Sequence, residues 1–208
     1  SNHCYDTADY HAIDPLLGTA EDFGAPVGKA EEYGIRLILD GVFNHTGADS
    51  IYFNRYGNYA SVGAYQSKDS PYAEWYEFFD YPDGYSAWWG IRTLPAIRKD
   101  CKAFQQFIAG GNGVLSEYKV GGWRLDVADE LSSDFVRQIR SAIKEKNPEN
   151  LLIGEVWEDA AEKIAYGERK PYFCGEELDS VTNYPLKDAV IRFVKYGDAQ
   201  ALSRTMAR

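Results

Sequence analysis

The sequence predicts an α/β protein built on a parallel sheet. Short apolar runs of strand length alternate along the chain with segments in which apolar residues recur at the helical period. Repeated βα units of this kind form parallel sheets with right-handed crossovers. Polar residues also follow directly after several of the apolar runs, where parallel α/β proteins build their sites. The 208 residues, 45% of them hydrophobic, are enough for one domain with its own core.

Composition excludes several classes of partner. The formal net charge of -10 argues against nucleic acid and anionic membranes, because both require a basic surface. No apolar run is long enough to span a bilayer, and the polar start does not resemble a signal peptide. Three widely spaced cysteines (Cys4, Cys101, Cys174) predict neither a disulfide framework nor a zinc cluster. We therefore expect a cytoplasmic protein, or an extracellular one if a signal peptide lies outside this chain.

The first segment runs from a loop through a helix to a strand. Residues 1–18 are rich in turn formers and polar aromatics and predict a loop. Thr19 is a suitable helix cap with Asp22 at the third helical position, and Gly34 is placed to end that helix. The apolar run 35–39 then predicts a buried strand, followed by the polar residues Asp40, Asn44 and His45.

Residues 47–100 interrupt the alternation. A loop this long without structure is improbable in a compact domain, so we interpret it as a small inserted subdomain. Fourteen of the 31 Phe, Trp and Tyr residues lie between positions 52 and 89, which predicts a small aromatic core for most rings. The remaining rings are candidates for a surface that stacks against sugars.

Regular alternation resumes after residue 100. The strand predicted at 120–127 is followed by a helix that Ser132 caps and Pro148 stops. A strand at 151–157 follows next. The other predicted elements are a helix at 100–118 interrupted near Gly110, a short strand at 178–181, and a helix with Pro185 in its first turn.

Two carboxylates follow consecutive predicted strands. Arg124 and Asp126 share one face of their strand because alternate side chains point the same way. Such a buried charged pair needs partners, so it is either a structural ion pair or part of an active site. Glu155 lies 29 positions after Asp126, the length of one βα unit. On neighbouring strands the two carboxylates would approach the separation of about 5–5.5 Å found in retaining glycosidases.

The local sequence predicts different roles for the two carboxylates. Arg124 would keep Asp126 ionised, as a nucleophile requires. Val156 and Trp157 give Glu155 an apolar setting that would raise its pKa, as a general acid requires. The alternative is two unrelated surface carboxylates.

Several motifs resemble the α-amylase superfamily, glycoside hydrolase family 13, and particularly its neopullulanase, cyclomaltodextrinase and maltogenic amylase branch. They are D-G-V-F-N-H at 40–45, G-W-R-L-D-V-A-D-E at 122–130 and G-E-V-W at 154–157. Flanking segments at 4–15 and 178–185 extend the similarity over nearly the whole chain. The resemblance implies a TIM (β/α)8 barrel with domain B inserted after its third strand.

The resemblance also implies how the chain is divided. Residues 1–46 would be the loop after barrel strand 2, helix 2 and strand 3, and residues 47–100 would be domain B. Residues 101–208 would run from helix 3 to helix 6. The barrel would thus be incomplete at both ends, since nothing after Pro185 resembles the family's histidine-aspartate motif, which supplies a third catalytic carboxylate.

Site residues follow from the same resemblance. Asp126 is similar to the nucleophile and Glu155 to the acid/base, with Arg124 orienting the nucleophile and Asp40 as its structural partner. The resemblance implies no required cofactor, with calcium as the candidate metal and Asn44 either calcium-linked or a loop-fixing amide. Four further residues are expected to bind substrate. Tyr5 would stack on the cleaved sugar, and His45 would bind a hydroxyl of that sugar. Glu130 stands where the branch has a glutamate associated with both α-1,4 and α-1,6 linkages, and Trp157 is the fourth residue.

The implied function is retaining hydrolysis of α-1,4 glucosidic bonds, with α-1,6 bonds as a further substrate class, although we expect this chain alone to be inactive. One alternative is a transglycosidase of the same superfamily, and another is a non-catalytic carbohydrate-binding or scaffold fragment. An α-glucan is the expected partner, and open strand edges would favour a homo-oligomer.

Two departures from the motifs weaken the assignment to a branch. They are Asp129, where many relatives have asparagine, and L-P-A-I-R at 94–98, which lacks the usual final asparagine.

Overall fold

The computed structural model describes residues 3–207 of the chain. Its helices are α1 (Ala20–Glu32), α2 (Lys102–Ala109), α3 (Val114–Glu117), α4 (Ser133–Lys146), α5 (Tyr184–Tyr196) and α6 (Ala199–Met206). Its strands are β1 (Ile38–Gly41), β2 (Phe78–Asp80), β3 (Gly84–Tyr85), β4 (Gly122–Leu125), β5 (Leu151–Gly154), β6 (Ile164–Ala165), β7 (Glu168–Arg169) and β8 (Ser180–Val181).

A four-stranded sheet with the order β1-β4-β5-β8 forms the centre of the molecule. Each neighbouring pair in it is parallel, which confirms the predicted sheet. The register sets Asp40 opposite Arg124 and Leu125 opposite Gly154. Because all four strands run the same way, the residues that follow them meet at one edge of the sheet.

Local sequence signals account for the helix ends. Thr19 and Asp22 form a capping box at the start of α1, as predicted. Ser132 caps α4 by accepting a hydrogen bond from the Phe135 N–H. Pro185 lies in the first turn of α5, where its missing N–H removes no helical hydrogen bond.

The strand predicted at 35–39 is partly wrong. The observed strand begins later, at Ile38, and its outer face is not buried: Ile35 is 57% exposed and Ile38 37% exposed. The physical reason is that β1 is the edge of the sheet in the part of the chain that the structure describes. An apolar run indicates a strand, but it does not indicate whether a second strand covers it.

The connection after β5 contains a hairpin that local periodicity did not predict. Strands β6 and β7 pair antiparallel and are joined by Tyr166 and Gly167. Both turn residues have positive φ, at 55° and 80°, the pattern of the two-residue turn that matches strand twist. Each strand has two residues, which is too short for a recognisable alternation. Helix α6 was also not predicted.

Residues 47–100 form the irregular segment that the sequence predicted, with the small β2–β3 sheet and short 3-10 turns. A small aromatic core lies inside it, with Phe53, Trp75, Tyr76 and Tyr85 all buried. Trp89, by contrast, is 67% exposed. Five of the fourteen rings between positions 52 and 89 are buried, and they form one continuous core with the rest of the molecule, so the predicted small core is only partly confirmed.

The main core lies between the sheet and α2 and α4. Phe104 and Ile108 of α2 meet Phe135 and Ile139 of α4, and all four side chains are nearly inaccessible to solvent. Within residues 3–207, no helix is long and apolar enough to cross a membrane.

Candidate active site

Three carboxylates converge on the guanidinium group of Arg124. Its Nη1 lies 2.6 Å from Asp40 Oδ1 and 3.0 Å from Asp126 Oδ1, and its Nη2 lies 3.0 Å from Glu155 Oε1. One cation therefore holds the two carboxylates that were predicted to be catalytic. The side chains of Arg124, Asp126 and Glu155 are 21%, 10% and 11% exposed, so all three are largely removed from water.

Strand geometry explains this convergence. Asp40 and Arg124 face each other across the β1–β4 ladder. Asp126 directly follows β4, and its N–H donates to the Gly41 carbonyl at 3.1 Å. Glu155 directly follows β5 and donates its N–H to the Leu125 carbonyl at 2.9 Å. The two carboxylates thus lie at the carboxyl ends of neighbouring parallel strands, as their spacing predicted.

The electrostatic expectation for the two carboxylates is wrong. Burial and the nearby charge of Glu155 raise the pKa of Asp126 to about 6, although Arg124 opposes this shift. Burial alone would raise the pKa of Glu155, but hydrogen bonds from the Val127 N–H and from Trp157, together with Arg124, lower it overall. In the free site the first proton therefore goes to Asp126. Arg124 serves both carboxylates, whereas the sequence assigned it to Asp126 alone.

Two groups that bind Glu155 were missed by the sequence reasoning. The Val127 N–H donates to Glu155 Oε2 at 3.0 Å, and the Tyr184 hydroxyl donates to Oε1 at 3.3 Å. Val127 has a φ of 41°, which is strained for a β-branched residue and is typical of functional sites. Tyr184 follows β8 closely, so the rule that strand ends share one edge could have identified it.

Tyr5 lies beside the carboxylate cluster, and its expected stacking on a sugar stays a prediction. Its hydroxyl donates to Asp40 Oδ2 at 3.4 Å, and the Arg124 guanidinium lies 5.9 Å from the centre of its ring. The ring is half-buried. Tyr5 is therefore close enough to the cluster to contact a sugar bound there.

His45 is buried beneath Tyr5, with its ring stacked on Trp88 at 5.4 Å. Its Nε2–H donates to the Tyr5 carbonyl at 3.0 Å, and the amide of Asn44 donates to its Nδ1 at 3.2 Å. Burial lowers the pKa of His45, so the ring is neutral near pH 7. Both ring nitrogens are engaged by the protein, and the binding of a sugar hydroxyl by His45 stays a prediction.

Asn44 is also buried, and its contact with His45 fits the loop-fixing role. Among residues 3–207, no group of three or more His, Cys, Asp or Glu side chains could hold a metal ion.

An aromatic cleft of about 240 Å³ opens on the Glu155 side of the cluster. Trp157 lies in its wall, 39% exposed, and packs edge-on against Trp89 with ring centres 5.3 Å apart. Trp89 itself has a φ of 50°, so the backbone is strained where it presents this ring. The remaining lining includes Trp88, Val127, Glu130 and Tyr166. Trp157, which was expected to bind substrate, therefore lies in the wall of a cleft that reaches Glu155.

Glu130 also lines this cleft, but its carboxylate is already paired within the protein. Lys99 Nζ lies 3.3 Å from Oε2, and the Tyr166 hydroxyl donates to Oε1. The preceding Asp129 accepts a hydrogen bond from Tyr172 at 2.6 Å and pairs with Lys163 at 3.1 Å. The aspartate in place of the usual asparagine thus has a charge partner in this chain.

Known proteins resemble this chain in sequence and in fold. Residues 1–108 match the family described as Alpha amylase, catalytic domain. An amylopullulanase of Thermoanaerobacterium saccharolyticum is 40% identical over 217 residues, covering 93% of this chain and 16% of that protein. Neopullulanase 2 of Thermoactinomyces vulgaris is 33% identical over 208 residues, covering 97% of this chain and 33% of that protein.

A solved structure agrees with the predicted architecture. The ligand-free cyclic alpha-maltosyl-(1-->6)-maltose hydrolase of Arthrobacter globiformis superposes with a TM-score of 0.83 at 28% identity, covering 99% of this chain and 45% of that one. The chain therefore spans less than half the length of these relatives. Its parallel sheet and helices are part of a TIM barrel, as predicted. The resemblance drawn from the motifs is confirmed, and the chain belongs to the α-amylase catalytic-domain family.

Proposed function

We propose that this chain carries the nucleophile and the acid/base of a retaining α-glucan hydrolase. The observation that supports this most directly is the pairing of Asp126 and Glu155 with one guanidinium at the ends of adjacent strands. A shared cation of this kind holds both carboxylates close to the same point. A covalent route is the one expected when two carboxylates on adjacent strands are too close to admit an attacking water between them.

In the first step Asp126 attacks the anomeric carbon while Glu155 protonates the departing glycosidic oxygen. The bond between sugar and leaving group breaks as the bond to Asp126 forms. In the second step Glu155, now ionised, removes a proton from water, and the resulting hydroxide displaces Asp126 from the sugar. Atoms and charges balance over the two steps, and both carboxylates return to their starting states.

The proton must move before this cycle begins. In the free site the first proton goes to Asp126, whose pKa is raised to about 6. The reaction needs Asp126 ionised and Glu155 protonated. A glucan in the cleft would cover Glu155 and remove its remaining contact with water, and this desolvation favours the protonated acid. Because Arg124 contacts both carboxylates, it remains paired wherever the proton resides.

The position of the cleft supports the assignment of the leaving group. The cleft touches Glu155, while Tyr5 and Asp40 lie on the other side of the cluster. The acid must contact the departing oxygen, so the leaving sugar would occupy the aromatic cleft and the cleaved sugar would lie near Tyr5. The names of the relatives, which include an amylopullulanase and a neopullulanase, support an α-glucan as the substrate.

We further propose the domain division predicted from sequence, with 1–46 and 101–208 as barrel segments and 47–100 as the inserted domain B. Residues 47–100 contribute Trp88 and Trp89 to the cleft. They would then supply one wall of the substrate site, as an inserted domain commonly does at the end of barrel strands.

Covalent labelling tests the proposed roles. An α-configured cyclitol epoxide that mimics glucose is opened only when an acid protonates the epoxide oxygen and a nucleophile attacks the adjacent carbon. We expect one label per chain, carried by Asp126, as measured by intact mass and peptide mapping. Labelling requires a single attack rather than repeated turnover, so it suits a chain without the family's histidine-aspartate motif.

The controls separate the two roles. Asp126→Asn should remove the label, and Glu155→Gln should slow labelling by about 100-fold or more, the scale of general acid catalysis. The β-configured epoxide should not react. Absence of label in the wild-type chain, or label on a residue other than Asp126, would contradict the proposal.

A further inference from the structure

We propose that Tyr166, at the tip of the β6–β7 hairpin, is a specificity residue that binds a glucosyl ring of the leaving part of an α-glucan. This inference rests on the function proposed above. Tyr166 lines the same cleft as Glu155 and Trp157, and it is 68% exposed. The C–H faces of a glucosyl ring pack well against such an aromatic plane.

The hairpin is tied to the turn that carries the catalytic motif. Tyr172 donates to Asp129 at 2.6 Å, and Lys163 pairs with the same carboxylate at 3.1 Å. Lys170 donates to the Leu131 carbonyl at 3.1 Å. These anchors belong to a short segment that begins three residues after Asp126. The hairpin is thus held in place relative to the proposed nucleophile.

The Tyr166 ring has its own clamp. Its hydroxyl donates to Glu130, and Lys99 Nζ lies 3.6 Å from the ring centre while also contacting Glu130 at 3.3 Å. The positive φ of Tyr166, at 55°, is unfavourable for a bulky residue. Asparagine or aspartate is preferred at this turn position. The local backbone therefore gives no reason for an aromatic residue here, whereas a role in the cleft does.

Lys99 and Glu130 connect this wall to other parts of the molecule. Lys99 comes at the end of the inserted segment, and Glu130 belongs to the turn after β4. The hairpin contributes the third group, Tyr166. The cleft is therefore enclosed by Trp88 and Trp89 from the inserted segment and by Tyr166 from the hairpin. An occupant of this cleft would contact both walls, and removal of either wall should weaken its binding.

The test is a titration of the 208-residue chain with maltotriose, followed by calorimetry, because a fluorescence signal would depend on the cleft tryptophans that the variants change. We expect Tyr166→Ala to weaken binding by roughly 3- to 10-fold, the range for loss of an aromatic contact. Tyr166→Trp, which keeps an aromatic plane, should bind within about 2-fold of wild type. Tyr196→Ala is the matched control, since Tyr196 is 78% exposed on α5 and does not line the cleft.

The outcomes distinguish this inference from the proposed function. Wild-type binding that Trp157→Ala abolishes, together with the loss in Tyr166→Ala, supports both. Equal affinities of wild type and Tyr166→Ala would overturn the role of Tyr166 while leaving the proposed function standing. A wild-type chain that binds no maltotriose would overturn the proposed glucan recognition itself. Thermal unfolding of each variant by circular dichroism shows whether a loss of binding reflects a loss of folding.

Discussion

At the scale of single residues, Arg124 decides the chemistry of the site. Three carboxylates surround one guanidinium, so the cluster retains excess negative charge when all of them are ionised. Under the proposed function, such a field would suit the positive charge that develops on a sugar during cleavage. Contact with Arg124 does not make Asp126 more acidic than Glu155, because the pKa of Asp126 is raised and that of Glu155 is lowered. Burial and Glu155 together outweigh the attraction of Arg124 for Asp126.

The raised pKa of Asp126 predicts a pH dependence of stability. Its value is about 6 in the folded chain, against about 3.9 when unfolded. Between these values the folded state binds more protons, so the contribution of this group to stability is present below pH 4 and is lost as pH rises through 6. The loss is at most about 3 kcal/mol.

Urea unfolding of wild type and Asp126→Asn, between pH 4 and 7.5, measures this effect. We expect the stability of the asparagine variant relative to wild type to increase across that interval, because asparagine cannot ionise. The exposed Asp69→Asn provides the control and should show no such trend. A difference between wild type and Asp126→Asn that stays constant with pH would show that Asp126 does not titrate in this way.

At the scale of elements, the β4–β5 ladder is the structure that brings the two carboxylates together. Gly122 begins β4 opposite Leu151, and the backbones approach so closely that a Cβ at this position would lie 2.2 Å from the Leu151 carbonyl oxygen. The glycine that begins the 122–130 motif is thus required by the packing of two strands. This requirement is independent of catalysis.

Gly122→Ala should therefore destabilise the chain by about 1–3 kcal/mol, the range for overpacking a well-packed site. The measurement is the midpoint of chemical unfolding. Gly111→Ala is the control, because nothing lies within 4 Å of a Cβ at that position, and its effect should be small. A tolerated Gly122→Ala, with unfolding like wild type, would mean that the ladder relaxes more easily than its geometry indicates.

Helix α1 differs from the β4–β5 ladder, because local sequence signals specify it more clearly than packing does. Its capping box is complete, yet it contains Pro26 and buries no residue. Proline inside a helix removes a hydrogen bond and crowds the preceding turn. The element thus has a complete start signal but light tertiary packing, in which Phe23 lies edge-on against Tyr118.

At the scale of the whole molecule, apolar surface remains uncovered at both ends of the sheet. On the β1 side, Ile35 and Ile38 are exposed, and on α5 Phe193 and Val194 are 43% and 76% exposed. A strand edge of this kind offers unpaired backbone groups to another chain. Contiguous exposed apolar surface likewise favours association.

We therefore expect the chain to form concentration-dependent dimers, as measured by sedimentation velocity. Ile38→Lys, which places a charge on the open edge, should shift the distribution toward monomer. Val62→Lys, at a position 50% exposed within residues 47–100, should leave it unchanged. Identical sedimentation of wild type and Ile38→Lys at high concentration would exclude the β1 edge as the contact.

The sequence by itself determined the parallel sheet, most helix boundaries and the identity of the central charged residues. These features depend on local information: the period of apolar residues, caps such as Thr19 and Ser132, and one βα unit between Asp126 and Glu155. The motif resemblance added the family and its barrel. Each of these properties is carried by residues close together in the chain or by a fixed pattern of them.

Only the tertiary structure decided the proton order, the aromatic cleft and the clamp on Tyr166. Burial and charge at Asp126 depend on groups from three strands, and no local pattern encodes their sum. The contacts of Tyr166 with Glu130 and Lys99 join residues 36 and 67 positions away. Desolvation and Coulomb energies depend on distance in space, and that distance is known only once the chain has folded.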